Sequence, residues 1–77
     1  MKLSQIPNHT QVMIKKIDCN DELKKRFYSF GIVRGAELFI NTTSMTKNTI
    51  EINIENTSIA LRYDEADTIE VEIIDEV

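Results

Sequence analysis

From residue 36 onward the chain alternates apolar and polar positions with a period of two, the signature of strands that turn one face inward. Ala36, Leu38 and Ile40 oppose Glu37, Phe39 and Asn41, and Ile50, Ile52 and Ile54 oppose Glu51, Asn53 and Glu55. In residues 58–63, Ile59 and Leu61 face one way and Ala60 and Arg62 the other; in 68–74, Ile69, Val71 and Ile73 lie inward against Glu70 and Glu72. The polar run 42–49 predicts a mobile hairpin tip, Asn56 and Thr57 a tight turn, and 64–67 a single helical turn capped by Asp64. Upstream, 11–17 is rich in β-branched residues. Its consecutive Val12, Met13 and Ile14 predict burial on both faces or a bulge. Leu3 and Ile6 predict anchors for a tethered N-terminal segment.

The period changes in one stretch. Leu23, Phe27 and Phe30 recur at i, i+4 and i+7, which places three apolar side chains on one face of a helix. Asn20 or Asp18 can accept from the free amides at its start, and acids early with bases late agree with the helix dipole. Gly31 predicts a left-handed helix end, with Ile32 folding back on Phe27; Gly35 predicts a second turn before the next strand. No other glycine occurs in the chain.

Five short strands with one helix after the first predict a mainly β fold, a small closed barrel, because closure removes the edges that an open five-stranded sheet exposes. Seventy-seven residues suit one domain over 1–77, with no repeat or linker. Cys19 is the single cysteine, so no intramolecular disulfide is expected. No apolar run approaches the ~20 residues that cross a bilayer, and the N-terminus lacks the apolar core of a signal peptide; a soluble intracellular protein is expected. The net charge of −4 opposes phosphate neutralisation, and two tyrosines and three phenylalanines offer few stacking platforms, which argues against nucleic acid.

Candidate chemistry adds little to this picture. His9 and Cys19 are the soft-ligand candidates, placed at opposite ends of the first strand, over ~20 Å apart by strand rise. The carboxylates at 64, 65, 67, 70, 72, 75 and 76 lack the spacing and glycine of a hard-cation loop. No histidine stands near a nucleophile and no glycine loop cradles phosphate, so no enzyme is expected. Arg26 and Arg62 read either as pinned by carboxylates in the barrel or as partner contacts. Lys24, Lys25 and Arg34 predict a basic patch around the helix, and Phe39 with Met45 a small sticky patch should they prove adjacent.

Three segments carry a resemblance: L-S-Q-I near the start, K-R-F-Y-S-F-G-I-V-R-G in the middle and I-A-L-R-Y-D-E-A-D-T-I-E-V near the end. Together they resemble the ferrous iron transport protein A (FeoA) family, whose pattern falls here on Arg26 and Phe27, Phe30 and Gly31, Gly35, Ala60, Leu61 and Arg62, Ala66, Ile69 and Val71. Asn8 stands where the family has a glycine, and Thr46, Lys47 and Asn48 stand where its hairpin tip has glycine, aspartate and proline. The resemblance implies an SH3-like β-barrel in the bacterial cytoplasm that docks on the cytoplasmic part of the membrane ferrous iron transporter FeoB and modulates it, in a family associated with transition metal ions. Under that expectation Lys24, Lys25, Tyr28, Arg34, Phe39 and Met45 contact the partner, while Arg26, Phe27, Phe30, Gly31, Gly35, Leu61 and Arg62 are structural. No residue is assigned to a metal and no cofactor is expected. Two alternatives are a regulatory SH3-like domain of the kind found in iron-dependent repressors, against which the lack of a DNA-reading helix pattern argues, and a metal-binding protein proper.

Overall fold

The computed structural model describes residues 1–44, 46 and 48–76, the last two by backbone alone. Five antiparallel strands, β1 (Thr10–Ile17), β2 (Glu37–Ser44), β3 (Thr49–Ile54), β4 (Thr57–Arg62) and β5 (Ile69–Glu76), form one sheet in the order β4-β3-β2-β1-β5. The alternation read from the sequence sets which face is inward. Val12 and Ile14, Leu38 and Ile40, Ile50, Ile52 and Ile54, Ile59 and Leu61, Ile69 and Val71 all meet in one buried cluster, so every strand contributes to a single core.

The sheet curls around that core, but among the described residues β4 and β5 do not pair, which corrects the expectation of a fully closed cylinder. The N-terminal 3-10 turn Leu3–Gln5 and the short helix α2 (Tyr63–Ala66) touch each other, the turn touching β5 and the helix β4. Their apolar residues Leu3, Ile6 and Ala66 are buried in the common core, and the Ser4 hydroxyl donates to Asp67 at the end of α2. The first residues also cover the free edge of β5: Val71 N–H donates to the Met1 carbonyl at 2.7 Å, and the Met1 ammonium donates to the Val71 carbonyl at 3.2 Å. Edge groups that closure would have satisfied are thus partly satisfied by the tethered N-terminus.

Helix α1 (Asp21–Ser29) follows β1. Asn20 caps it, its Oδ1 accepting from Leu23 N–H at 2.8 Å. At the other end Ile32 N–H donates to the Phe27 carbonyl and Gly31 N–H to that of Tyr28, the paired bonds of a Schellman cap, with Gly31 at φ 83°. Ile32 and Phe27 are both fully buried, the apolar contact expected of such a cap. Phe30 departs from the expectation. The helical period stops at Ser29, so the i+7 position falls outside the helix, and Phe30 is 39% exposed.

Three boundaries also differ from the sequence reading. The polar residues 42–44 are strand, not loop: Thr42, Thr43 and Ser44 pair with Glu51, Ile50 and Thr49. Threonine is β-branched and suits a half-exposed ladder, so polarity alone did not mark a loop. The β3–β4 turn is Glu55-Asn56 rather than Asn56-Thr57, both residues at positive φ as a two-residue hairpin turn of the primed kind requires. Finally, α2 begins one residue earlier, at Tyr63; Asp64 accepts from the Glu65 N–H in its first turn at 3.0 Å, and Glu65 adds a second bond, its Oε1 accepting from Arg62 N–H at 3.0 Å.

Candidate basic cleft

Two local irregularities create the most promising site. β1 and β5 pair Ile14 with Val71 and then Lys16 with Glu70, so Lys15 is an extra residue on β1, a bulge. In a regular strand Lys15 and Lys16 would point to opposite faces; a bulge re-aims one of them, and here both line the same cleft. The second irregularity is the turn 33–36. Ala36 N–H donates to the Val33 carbonyl at 3.0 Å, and Gly35 takes φ 90°, the positive value a type II turn demands at its third position. That turn is tied to β1, with Gly35 N–H donating to the Ile14 carbonyl and Ile14 N–H to that of Ala36, each at 2.8 Å. Arg34 is held beside the bulge by these bonds.

The third wall is α1, whose Lys24 and Tyr28 lie one turn apart on the same face. The result is an open cleft of about 400 Å³ lined by Lys15, Lys16, Ile17, Lys24, Tyr28 and Arg34. Four of the six are cationic and none is a carboxylate, on a chain whose net charge is −4. Lys15 meets Glu72 at 3.5 Å with both side chains more than half exposed, a weak pair. Among the described residues Lys16, Lys24 and Arg34 form no ion pair. Tyr28 is 54% exposed and Ile17 packs against the core from the cleft side, which supplies apolar surface between the charges.

Of the residues expected to contact a partner, Lys24, Tyr28 and Arg34 come together here. Lys25, one position further along the helix, is exposed but does not line the cleft. Phe39 sits on the outward register of β2, half-buried, its ring 6.2 Å from the His9 imidazole. Five residues of strand, roughly 17 Å, separate it from Ser44 at the hairpin end; Met45 lies outside the described residues. Lys15, Lys16 and Ile17 were missed, because a strict two-residue alternation assigns them to different faces. The consecutive apolar run at 12–14 does not mark the bulge: Val12, Met13 and Ile14 pair in step with Ile73, Glu72 and Val71, and the register shifts lie on either side, at Gln11/Val12 and Ile14/Lys16.

The residues expected to be structural fall into two groups. Phe27 and Leu61 are fully buried. Arg26 donates to Glu65 Oε2 at 2.6 Å, and since Oε1 of that carboxylate caps α2, Glu65 ties α1 to α2 through both its oxygens. Arg62 is exposed, with its backbone N–H in that cap. His9 and Cys19 flank β1 at opposite ends, and among the described residues no three His, Cys, Asp or Glu side chains gather as metal ligands would. No helix among the described residues is long and apolar enough to cross a membrane.

Fold and cleft define a class: a small, curled five-stranded domain with a basic cleft on its surface. Comparison with known proteins narrows it. The FeoA domain model matches residues 1–73. A Campylobacter jejuni protein that carries the name Fe(2+) transport protein A is 32% identical over 74 residues, 96% of this chain and all of that one. Among solved structures, the FeoA of Stenotrophomonas maltophilia complexed with zinc, described as a procaryotic SH3 domain protein, superposes with a TM-score of 0.80 at 26% identity over 94% of this chain and 89% of that one. The manganese regulator SloR superposes with a TM-score of 0.86 at 16% identity, over 96% of this chain and 34% of the regulator, a likeness of fold alone.

The chain belongs to the FeoA family of bacterial ferrous iron transport, and its fold is SH3-like.

Proposed function

We propose that this chain is a cytoplasmic, non-enzymatic adaptor, a single FeoA-like domain over residues 1–77 that docks on the cytoplasmic part of the ferrous iron transporter FeoB and modulates iron uptake. The observation that carries this reading is the cleft: four cations from three different elements line one concavity of an otherwise acidic molecule, with no carboxylate in the lining. A surface of that kind steers and orients an acidic partner. The exposed Tyr28 beside the charges is the type of residue that anchors protein interfaces.

The test is binding of purified FeoB by the chain carrying Lys24→Glu, Lys25→Glu and Arg34→Glu together. Binding should weaken by about tenfold or more while the circular dichroism spectrum stays that of the parent. Parent-like binding by a folded triple variant refutes the cleft as the docking surface.

A further inference from the structure

The cleft's lining specifies what kind of surface fills it, a step that rests on the adaptor reading. We propose that its occupant is an extended acidic peptide segment of the partner, carrying carboxylates on both sides of one apolar side chain. The four cations are carried by three separate elements, so a ligand that spans the cleft can engage several of them. Lys15 and Lys16 come from the bulge, Lys24 from the helix and Arg34 from the turn, and Tyr28 and Ile17 line the same cleft beside them. Four cations sharing one cleft with the apolar surface of Tyr28 and Ile17 match a segment whose carboxylates spread along several residues and whose single apolar side chain rests on the Tyr28 ring. Lys15 can exchange its partner for a peptide carboxylate, because its pair with Glu72 is solvent-exposed.

The surroundings disfavour other polyanions. A nucleic acid strand or an anionic leaflet presents charge over an area far wider than the cleft, where the net −4 of the molecule repels it. Lys16 also borders a second, smaller cleft of about 210 Å³ lined by Lys2, Asp18, Asp67, Thr68 and Glu70, where three carboxylates face two lysines and the lining is no longer purely basic. A short acidic segment fits inside that boundary.

The probe is a fluorescein-labelled peptide of sequence Glu-Asp-Glu-Leu-Asp-Glu, amidated at its C-terminus, titrated against the full chain by anisotropy and by amide NMR shifts. Saturable binding is expected, with shifts centred on residues 15–17, 24–28 and 34. Lys24→Glu with Arg34→Glu should reduce affinity by about tenfold or more, as should raising salt to about 0.5 M, whereas Lys25→Glu, outside the lining, should change it by less than about twofold. Replacing the peptide's leucine by serine should weaken binding severalfold through the loss of the Tyr28 contact. If the double reversal fails to fold, Lys16→Gln with Arg34→Gln answers the same question. Absence of saturable binding, shifts centred elsewhere, or full competition by tripolyphosphate at equal charge would overturn the proposal. The two readings fail separately. Transporter binding that is lost on charge reversal, with no peptide binding, sinks the peptide site and leaves the adaptor; peptide binding without transporter binding does the reverse.

Discussion

Gly35 and Glu65 show how much a single residue can decide in a chain this short. An alanine Cβ at Gly35 would meet nothing within 4 Å, so a substitution there tests conformation alone. At φ 90° any L side chain is strained, and Gly35→Ala should destabilise the fold by about 1–2 kcal/mol in urea titration. Because the same turn holds Arg34, the variant should also lose part of its partner affinity even under conditions where it stays folded. Glu65 serves two elements at once, capping α2 with one oxygen and holding Arg26 of α1 with the other. Glu65→Ala should therefore cost about 1–2 kcal/mol, and Arg26→Ala, whose side chain is half exposed, under about 1 kcal/mol. Equal losses for the two would mean that the cap contributes nothing.

At the scale of elements, the sequence is most readable where a regular period runs its full length. The inward residues of β2, β3, β4 and β5 follow from alternation, and the glycine after α1 announces the Schellman cap that buries Ile32 on Phe27. Reading fails where a period is interrupted. Phe30 looks like the next core position after Phe27, yet the helix ends one residue before it. Phe27→Ala should accordingly cost about 3–5 kcal/mol, enough to unfold much of the population, and Phe30→Ala under about 1 kcal/mol. Thermal melts of the two variants separate these outcomes; similar losses would show that the helix continues through residue 30. The bulge at Lys15 is the other interruption, and it is why half of the cleft was not visible in the pattern: Lys24, Tyr28 and Arg34 could be grouped from the helix and its following turn, but Lys15, Lys16 and Ile17 join them only through a register shift between β1 and β5. The link between Arg26 and Glu65, thirty-nine residues apart, likewise depends on packing that no local pattern encodes.

For the whole molecule, the sheet's open seam and the distribution of charge belong to one account. With β4 and β5 unpaired, the N-terminal turn and α2 complete the wall, and α1 remains on the outside with Lys24 and Tyr28 presented to the cleft. Positive charge gathers there on an acidic body; under the adaptor proposal it orients the molecule toward an acidic partner before contact and makes association sensitive to salt. The measurement that tests this most directly is amide NMR of the full chain titrated with the purified cytoplasmic part of FeoB at physiological and raised salt. The account predicts perturbations centred on residues 15–17, 24–28 and 34 that fade as salt increases. Perturbations gathered instead along β4, or an interaction indifferent to salt, would contradict it.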